Sequence, residues 1–273
     1  MGSHIMESVR HTGTRAIYRV LDLITELGQH LSGASASTLA GRLDLPAPTV
    51  HRLLQVLVAT GFATKEPASK HYSLGPRIVS LAHRVGGAVT LSDIARPELE
   101  RLAATTTETV FLAALDGNEI VFLDCIRSSQ AVQLWSPPGT RRPLHATSQG
   151  KAVLAFLPEI SLEGLLSACD FASYTRHTIT QRRDLSDELD RVRRDGFAVA
   201  DREFDEDARS VAAPILDAEG HAIGTVCVGV PQFRASLQQL RGELAPVVVD
   251  AAERISHQAQ LQLRPNPSDK SAN

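Results

Sequence analysis

Two pairs of apolar runs constrain this chain more than any other feature. "TVFLAAL" and "EIVFLDCI" flank "DGN", and "SVAAPILD" and "HAIGTVCVGV" flank "AEG". Each connector is a hairpin signature, because glycine supplies the positive φ that a tight antiparallel turn demands. Strands paired this way are antiparallel, which favours an antiparallel sheet over a doubly wound one. Helical patterns lie between them: "LSDIARPELERLAATTTE", "TSQGKAVLAFL", "SLEGLLSA" and "DLSDELDRVRRDG", the last stopped by Gly196. "FAVADREF" reads as a strand, and "AVQLWS" as another before "PPG" turns the chain. "SLQQLRGELAPVVVDAAERISHQAQ" reads as a long terminal helix interrupted at Pro246. Hairpins mixed with helices define an α+β class with a sensor-like sheet.

The first 85 residues follow a different pattern. In "TRAIYRVLDLITELG", Ile17, Leu21, Ile24 and Leu27 share one helical face before a terminal glycine. Ser37 is placed to cap a short helix, "TLAGRLDL", and another helix begins within "LPAPTVHRLLQVLVATG", with Pro48 in its first turn and Gly61 as its stop. There Val50, Leu53, Leu54, Leu57 and Val58 form an apolar stripe, while Thr49, His51, Arg52 and Gln55 occupy the other face. Two short helices around a tight turn, then "FATKEP" and "KHYSLG" as a hairpin, predict a winged helix-turn-helix. "PRIVSLAHRVGGAV" reads as a linking helix weakened by Gly86 and Gly87. The expected organisation is a DNA-binding domain over 7–76, a linker over 77–90, an effector domain over 91–260 and a disordered tail over 261–273. "MGSHIM" reads as a cloning remnant over 1–6 ahead of a natural Met6, with no signal peptide after it.

Charge divides along the same line. Residues 1–85 hold nine Lys/Arg against five Asp/Glu, net +4, whereas 86–273 hold 19 against 26, net −7. A basic module joined to an acidic one fits a polyanion partner for the first alone. Cys125, Cys169 and Cys227 are odd in number and widely spaced, without a CxxC pair, so neither a disulfide framework nor a zinc site is expected. No apolar run approaches the roughly 20 residues of a membrane helix. A cytoplasmic protein without cofactor or metal is expected. GxSxG, HExxH and GxxxxGK[ST] are absent, and "TSQGK" lacks the first glycine of a phosphate loop. The remaining catalytic alternative is Ser148 with His145 and Asp201, or Cys227 as a nucleophile; the reading adopted is a non-enzyme.

A polar helix face next to a wing in a basic domain suits a DNA major groove. Arg52 fits a guanine edge, Gln55 an adenine, and Thr49 or His51 a base or phosphate. Lys65, Lys70, His71 and Tyr72 on the wing and Arg15 on the first helix are the expected phosphate contacts. The alternative is a merely solvated face.

At this point the chain resembles the IclR family of bacterial transcriptional regulators, from about Arg15 to His257. "ASTLAGRLDLPAPTVHRLLQVLVATGF", "YSLGPRI", "PLHATSQGKAVLAFLP", "RRDGFAVADREF" and "RSVAAPILDAEG" carry the resemblance in order and spacing. It implies a winged helix-turn-helix, a linker helix and a GAF-like effector domain, acting as a homodimer or dimer of dimers on partly palindromic operators. It also implies an effector pocket of Leu134, Trp135, Arg142, Ser148, Gln149, Asp201, Ala208, Ser210, Cys227 and Gly229. Departures stand at Ser210, where relatives commonly have cysteine, and at Arg142, where an apolar residue is usual. From the residues themselves, "TSQG" opening a helix offers free N–H groups to a carboxylate, unless Ser148 serves as the cap. An inward Arg142 clamps an acid bidentately; an outward one is a surface charge. Trp135 walls an aromatic ligand or fills the core. The expected function is a ligand-responsive regulator, a repressor of a catabolic operon, with a small organic acid as effector. The alternatives are a DNA-binding dimer without ligand control or a small-molecule-processing enzyme.

Overall fold

In the computed structural model, which describes residues 15–30, 32–85 and 90–263, the chain divides into two units between residues 88 and 89. The N-terminal unit comprises α1 (Arg15–Gly28), α2 (Ala36–Arg42), α3 (Ala47–Ala59), β1 (Ala63–Lys65), β2 (Tyr72–Leu74) and α4 (Pro76–Val85). Leu23 and Leu27 of α1, Leu39 of α2, and Val50, Leu54 and Leu57 of α3 meet in one small core. Val58, expected in that stripe, is 37% exposed, because it lies at the flank of the face centred on Val50, Leu54 and Leu57. The cap of α2 is Ser35, not Ser37: its extended backbone aims the hydroxyl at Thr38 N, 3.1 Å away. Gly61 ends α3 at φ +79°, which a side chain would strain.

The wing pairs Ala63 with Leu74 and Lys65 with Tyr72. Tyr72 also exchanges two backbone hydrogen bonds with Ala34, and its ring joins the core at 3% exposure. The linking helix is described to Val85; the rest of its expected range, 86–89, lies outside the described residues. So do 1–6 and 264–273, whereas Leu261 and Gln262, expected in a tail, continue the terminal helix.

The C-terminal unit contains α5 (Leu91–Thr106), β3 (Thr109–Asp116), β4 (Glu119–Ile126), β5 (Arg141–Pro143), α6 (Ser148–Ala155), α7 (Glu159–Ala168) and α8 (Arg182–Asp195). After these come β6 (Ala198–Asp201), β7 (Ala208–Leu216), β8 (Ala222–Pro231), α9 (Leu237–Gln239) and α10 (Ala245–Gln262). Its six strands are antiparallel in the order β5-β4-β3-β8-β7-β6. The two-residue period of the strands sends Val110, Leu112, Val226 and Val228 to one face and Phe111, Ala113 and Cys227 to the other. α5 and α10 cover the first face; α6 and α8 cover the second. Both faces carry buried apolar clusters, which is why the strands read as near-continuous apolar runs.

Two sequence expectations are corrected here. "AVQLWS" forms no strand: Leu134 O accepts from Thr109 Oγ1 at 2.6 Å, and Ser128 Oγ donates to Thr107 O, so side chains hold this segment as a loop. The third strand is β5 instead, which pairs antiparallel with β4 across the long loop 127–140. Pro246 does not interrupt the terminal helix, because a π-helical turn, Leu240–Leu244, precedes α10 and the proline falls in that helix's first turn, where no N–H is needed.

Candidate functional site

The outer face of α3 presents His51, Arg52 and Gln55 to solvent, with Thr49 half-buried beside them. On the wing Lys65, Lys70 and His71 are exposed, Lys70 at φ +61° in the turn, and Arg15 is exposed at the start of α1. Among the described residues none of Arg15, Arg52, Lys65 or Lys70 forms an ion pair, so their charge is free for another molecule. Tyr72 departs from expectation: its ring belongs to the core, and Lys65 Nζ lies 5.2 Å above it. Tyr72 therefore supports the wing rather than its outer surface.

The second site is a cleft of about 180 Å³ in the C-terminal unit. Its position follows from α6. Gly150 lies against the chain leaving β5 so closely that a Cβ would stand 2.1 Å from Leu144 O, which only glycine permits. That contact fixes the helix start beside β7 and β8. Thr147 is the cap: its hydroxyl accepts from Gly150 N at 3.1 Å and donates to Pro143 O at 2.8 Å. Ser148, expected as cap or ligand contact, is fully buried under the cleft, hydrogen-bonded to Ser210 Oγ at 2.7 Å and lying 3.6 Å from Cys227 Sγ. The first-turn N–H groups of Ser148 and Gln149 have no partner within the helix.

Of the pocket residues that the family resemblance implies, Leu134, Trp135, Arg142, Gln149, Ala208, Ser210, Cys227 and Gly229 line the cleft. Asp201 does not. Its carboxylate takes Arg209 Nε at 2.7 Å and Arg202 Nε at 3.0 Å, and the cleft meets Arg209 in its place. Burial pushes Asp201's pKa up, but those arginine bonds outweigh it and hold the carboxyl below its usual range. Trp135 is 44% exposed at the rim, with the Arg127 guanidinium 4.1 Å over its ring.

Arg142 turns toward the cleft. Its Nη2 donates to Ser136 Oγ at 3.1 Å, and the guanidinium lies 4.9 Å from the Phe204 ring and 5.9 Å from that of Phe122. Burial draws its pKa down, opposed by the field of Asp205. No carboxylate forms an ion pair with it among the described residues. Phe111 and Phe122 stack at 4.9 Å on the adjoining wall.

Sequence reasoning missed Phe111, Phe122, Thr147, Glu203, Phe204 and Arg209. The two phenylalanines had a signal: the β3–β4 register places Phe111 and Phe122 on the face opposite Val110. The loop after β6 had none. Behind it lies Lys151, 1% exposed, with Nζ 2.7 Å from Glu203 Oε1, 2.7 Å from Val199 O and 3.5 Å from Glu188 Oε1.

Ser148, His145 and Asp201 do not assemble as a triad. His145 Nε2 lies 2.9 Å from Ala172 O and Nδ1 3.5 Å from Cys169 Sγ, while Ser148 and Asp201 bond elsewhere. Burial pushes the Cys227 thiol up to about 12, which leaves almost no thiolate at neutral pH.

The comparisons agree with this geometry. The profile described as "Bacterial transcriptional regulator IclR C-terminal" matches residues 83–257, and "IclR helix-turn-helix domain" matches 16–67. The HTH-type transcriptional regulator BhcR of Paracoccus denitrificans is 34% identical over 248 residues, covering 89% of this chain and 87% of its own. An IclR homologue from Microbacterium hydrocarbonoxydans, complexed with 4-hydroxybenzoate, is similar in structure with TM-score 0.75 at 27% identity, over 90% of this chain and 99% of the other. The Thermotoga maritima IclR structure gives 0.72 at 26%, over 92% and 100%. No helix among the described residues is long and apolar enough to cross a membrane.

Proposed function

The chain belongs to the IclR family of bacterial transcriptional regulators, and from this we propose that a small organic acid in the cleft controls its affinity for operator DNA. Arg142 carries the reading. A half-buried guanidinium without a carboxylate partner, set between aromatic rings, is poised for a bidentate carboxylate. A volume near 180 Å³, below the roughly 300–1,000 Å³ of drug-sized sites, suits a metabolite of one ring or a short chain. The Microbacterium homologue's ligand is an acid of that size class. The protein acts in the cytoplasm as a homodimer or dimer of dimers, repressing a catabolic operon, with the cleft binding rather than transforming its ligand. Binding shifts the population of geometries that fit the operator, through a difference in affinity between them.

The test is fluorescence anisotropy on the DNA upstream of the protein's own gene, against scrambled DNA, with aliphatic and aromatic carboxylates added. Sequence-preferring binding shifted by one acid supports the proposal; equal, weak binding to both DNAs overturns it. In the same assay Arg52→Ala is expected to cost about 2 kcal/mol on the specific site and to relax its preference. Lys70→Ala is expected to weaken both DNAs alike and to reduce the salt dependence. An unchanged site preference in Arg52→Ala moves the reading face off α3.

A further inference from the structure

The end of α3 and the start of α4 meet at a joint that none of the expected DNA contacts uses. α3 stops at Ala59, and the carbonyls that follow it have no helical partner. Residues 75–77 satisfy them. Gly75 N donates to Phe62 O at 2.8 Å, Arg77 N to Gly61 O at 3.2 Å and Arg77 Nη1 to Thr60 O at 3.2 Å. The two segments pack so closely that a Cβ on Gly75 would stand 2.2 Å from Gly61 O and 2.8 Å from Ala63 N. Gly61 leaves room for the Arg77 side chain, whose Cβ lies 3.6 Å from where a Cβ of Gly61 would be. From there the guanidinium reaches 5.3 Å over the Phe62 ring. A cation at the C-terminal end of α3 also opposes the negative end of the helix dipole.

Arg77 is exposed and forms no ion pair among the described residues. An exposed hydrogen bond and an exposed cation–π contact add little to stability. What they fix is an angle, between α3, the wing that runs from Ala63 to Leu74, and α4. Resting on the reading of α3 as the helix that enters the major groove, we infer that Arg77 is a positioning residue for that helix, making α3, the wing and the first turn of α4 one body on the DNA. Base readout depends on geometry: a guanidinium such as that of Arg52 must place two parallel bonds on a guanine edge at once. A lysine on a phosphate acts as a point charge and tolerates small shifts. Loosening the joint therefore lowers sequence preference while leaving charge-driven binding in place. A turn of α4 carries α3 with it, which gives the linking helix direct purchase on the reading face.

The experiment is fluorescence anisotropy of the full chain on the DNA upstream of its own gene and on scrambled DNA, at several salt concentrations, with Arg77→Ala and Arg52→Ala beside the parent. In Arg77→Ala, Kd on the upstream DNA is expected to rise about tenfold and Kd on scrambled DNA to stay within about twofold. The slope of log affinity against log salt is expected to keep the parent value. Because the side chain is exposed, the variant should melt within about 3 °C of the parent. Arg77→Lys keeps the charge but not the planar group over Phe62, and is expected to recover only part of the preference. Equal weakening on both DNAs with a slope lower by about one makes Arg77 a phosphate contact and overturns the inference. Full recovery by lysine counts against it in the same way, and a melting temperature lowered by more than about 8 °C assigns the residue to stability instead. Preference lost in Arg52→Ala but kept in Arg77→Ala overturns this inference alone. Preference kept in both variants moves the reading face off α3, and equal, weak binding of the parent to both DNAs defeats the DNA-reading proposal itself; either takes this inference with it.

Discussion

Arg142→Leu is expected to weaken the binding of small carboxylic acids by about 3 kcal/mol, on the order of a 100-fold rise in Kd. Two charge-assisted hydrogen bonds disappear from a half-buried site flanked by the rings of Phe122 and Phe204. DNA affinity without effector is expected to stay at the parent value, because the operator contacts lie in the other unit. The substitution also returns this position to the apolar residue that the family resemblance implies, so folding is not expected to suffer. Calorimetry with the acid identified by anisotropy provides the number. Lysine at the same position separates charge from geometry: it keeps the charge but lacks the planar fork, and an intermediate loss is expected. Unchanged acid affinity in the leucine variant means that the carboxylate is held elsewhere, with the first-turn N–H groups of α6 as the alternative seat.

The second large effect is on stability. Lys151→Met is expected to destabilise the C-terminal unit by about 3–5 kcal/mol, because it leaves Glu203 buried with its opposite charge removed. Glu188 suffers less, since Arg191 Nη2 also contacts it at 3.0 Å. The melting temperature should fall on the order of 10 °C. The loss should also depend on pH. Burial already pushes the Glu203 carboxyl above its usual range, and Lys151 is the main force drawing it back. Without the lysine it rises further. A group whose folded value exceeds its unfolded value contributes fully below the unfolded value, and that contribution is lost as pH rises through the folded one. The variant's deficit is therefore largest at neutral pH and shrinks toward mildly acidic pH, as Glu203 takes up a proton below its raised folded value. Melting curves at both pH values decide it. Equal deficits would falsify the account, since they would trace the loss to packing around α6 rather than to a stranded carboxylate.

Both effects concern residues that the sequence presents very differently. Arg142 stands two positions before Leu144 in a short strand, and its residue type raised the question of an acid clamp, but alternation alone left it facing in or out. β5 pairs Arg142 with Ile120 of β4, and with that pairing made the guanidinium reaches Ser136 and the aromatic wall. Lys151 lies in the "GKA" run of a helix whose eight residues are all buried, and neither its neighbours nor its spacing name Glu188 or Glu203 as partners. The residues meeting there are 37 and 52 positions away.

Local chemistry by itself determined much of this protein. Turn glycines and two-residue alternation dictated the hairpins, 3.6-residue periodicity dictated most helices, and the charge split separated a basic unit from an acidic one. Each of these signals acts over a few residues, so each is written in the chain. Tertiary structure alone decided that Tyr72 turns inward through its bridge to Ala34, that "AVQLWS" stays a loop under Thr109, and that Asp201 is occupied by Arg202 and Arg209. It alone placed Glu203 at the cleft with one oxygen unpaired. Those outcomes depend on which distant donors and acceptors find each other once the sheet has assembled. Pairing across long separations is fixed by packing, which no local pattern encodes.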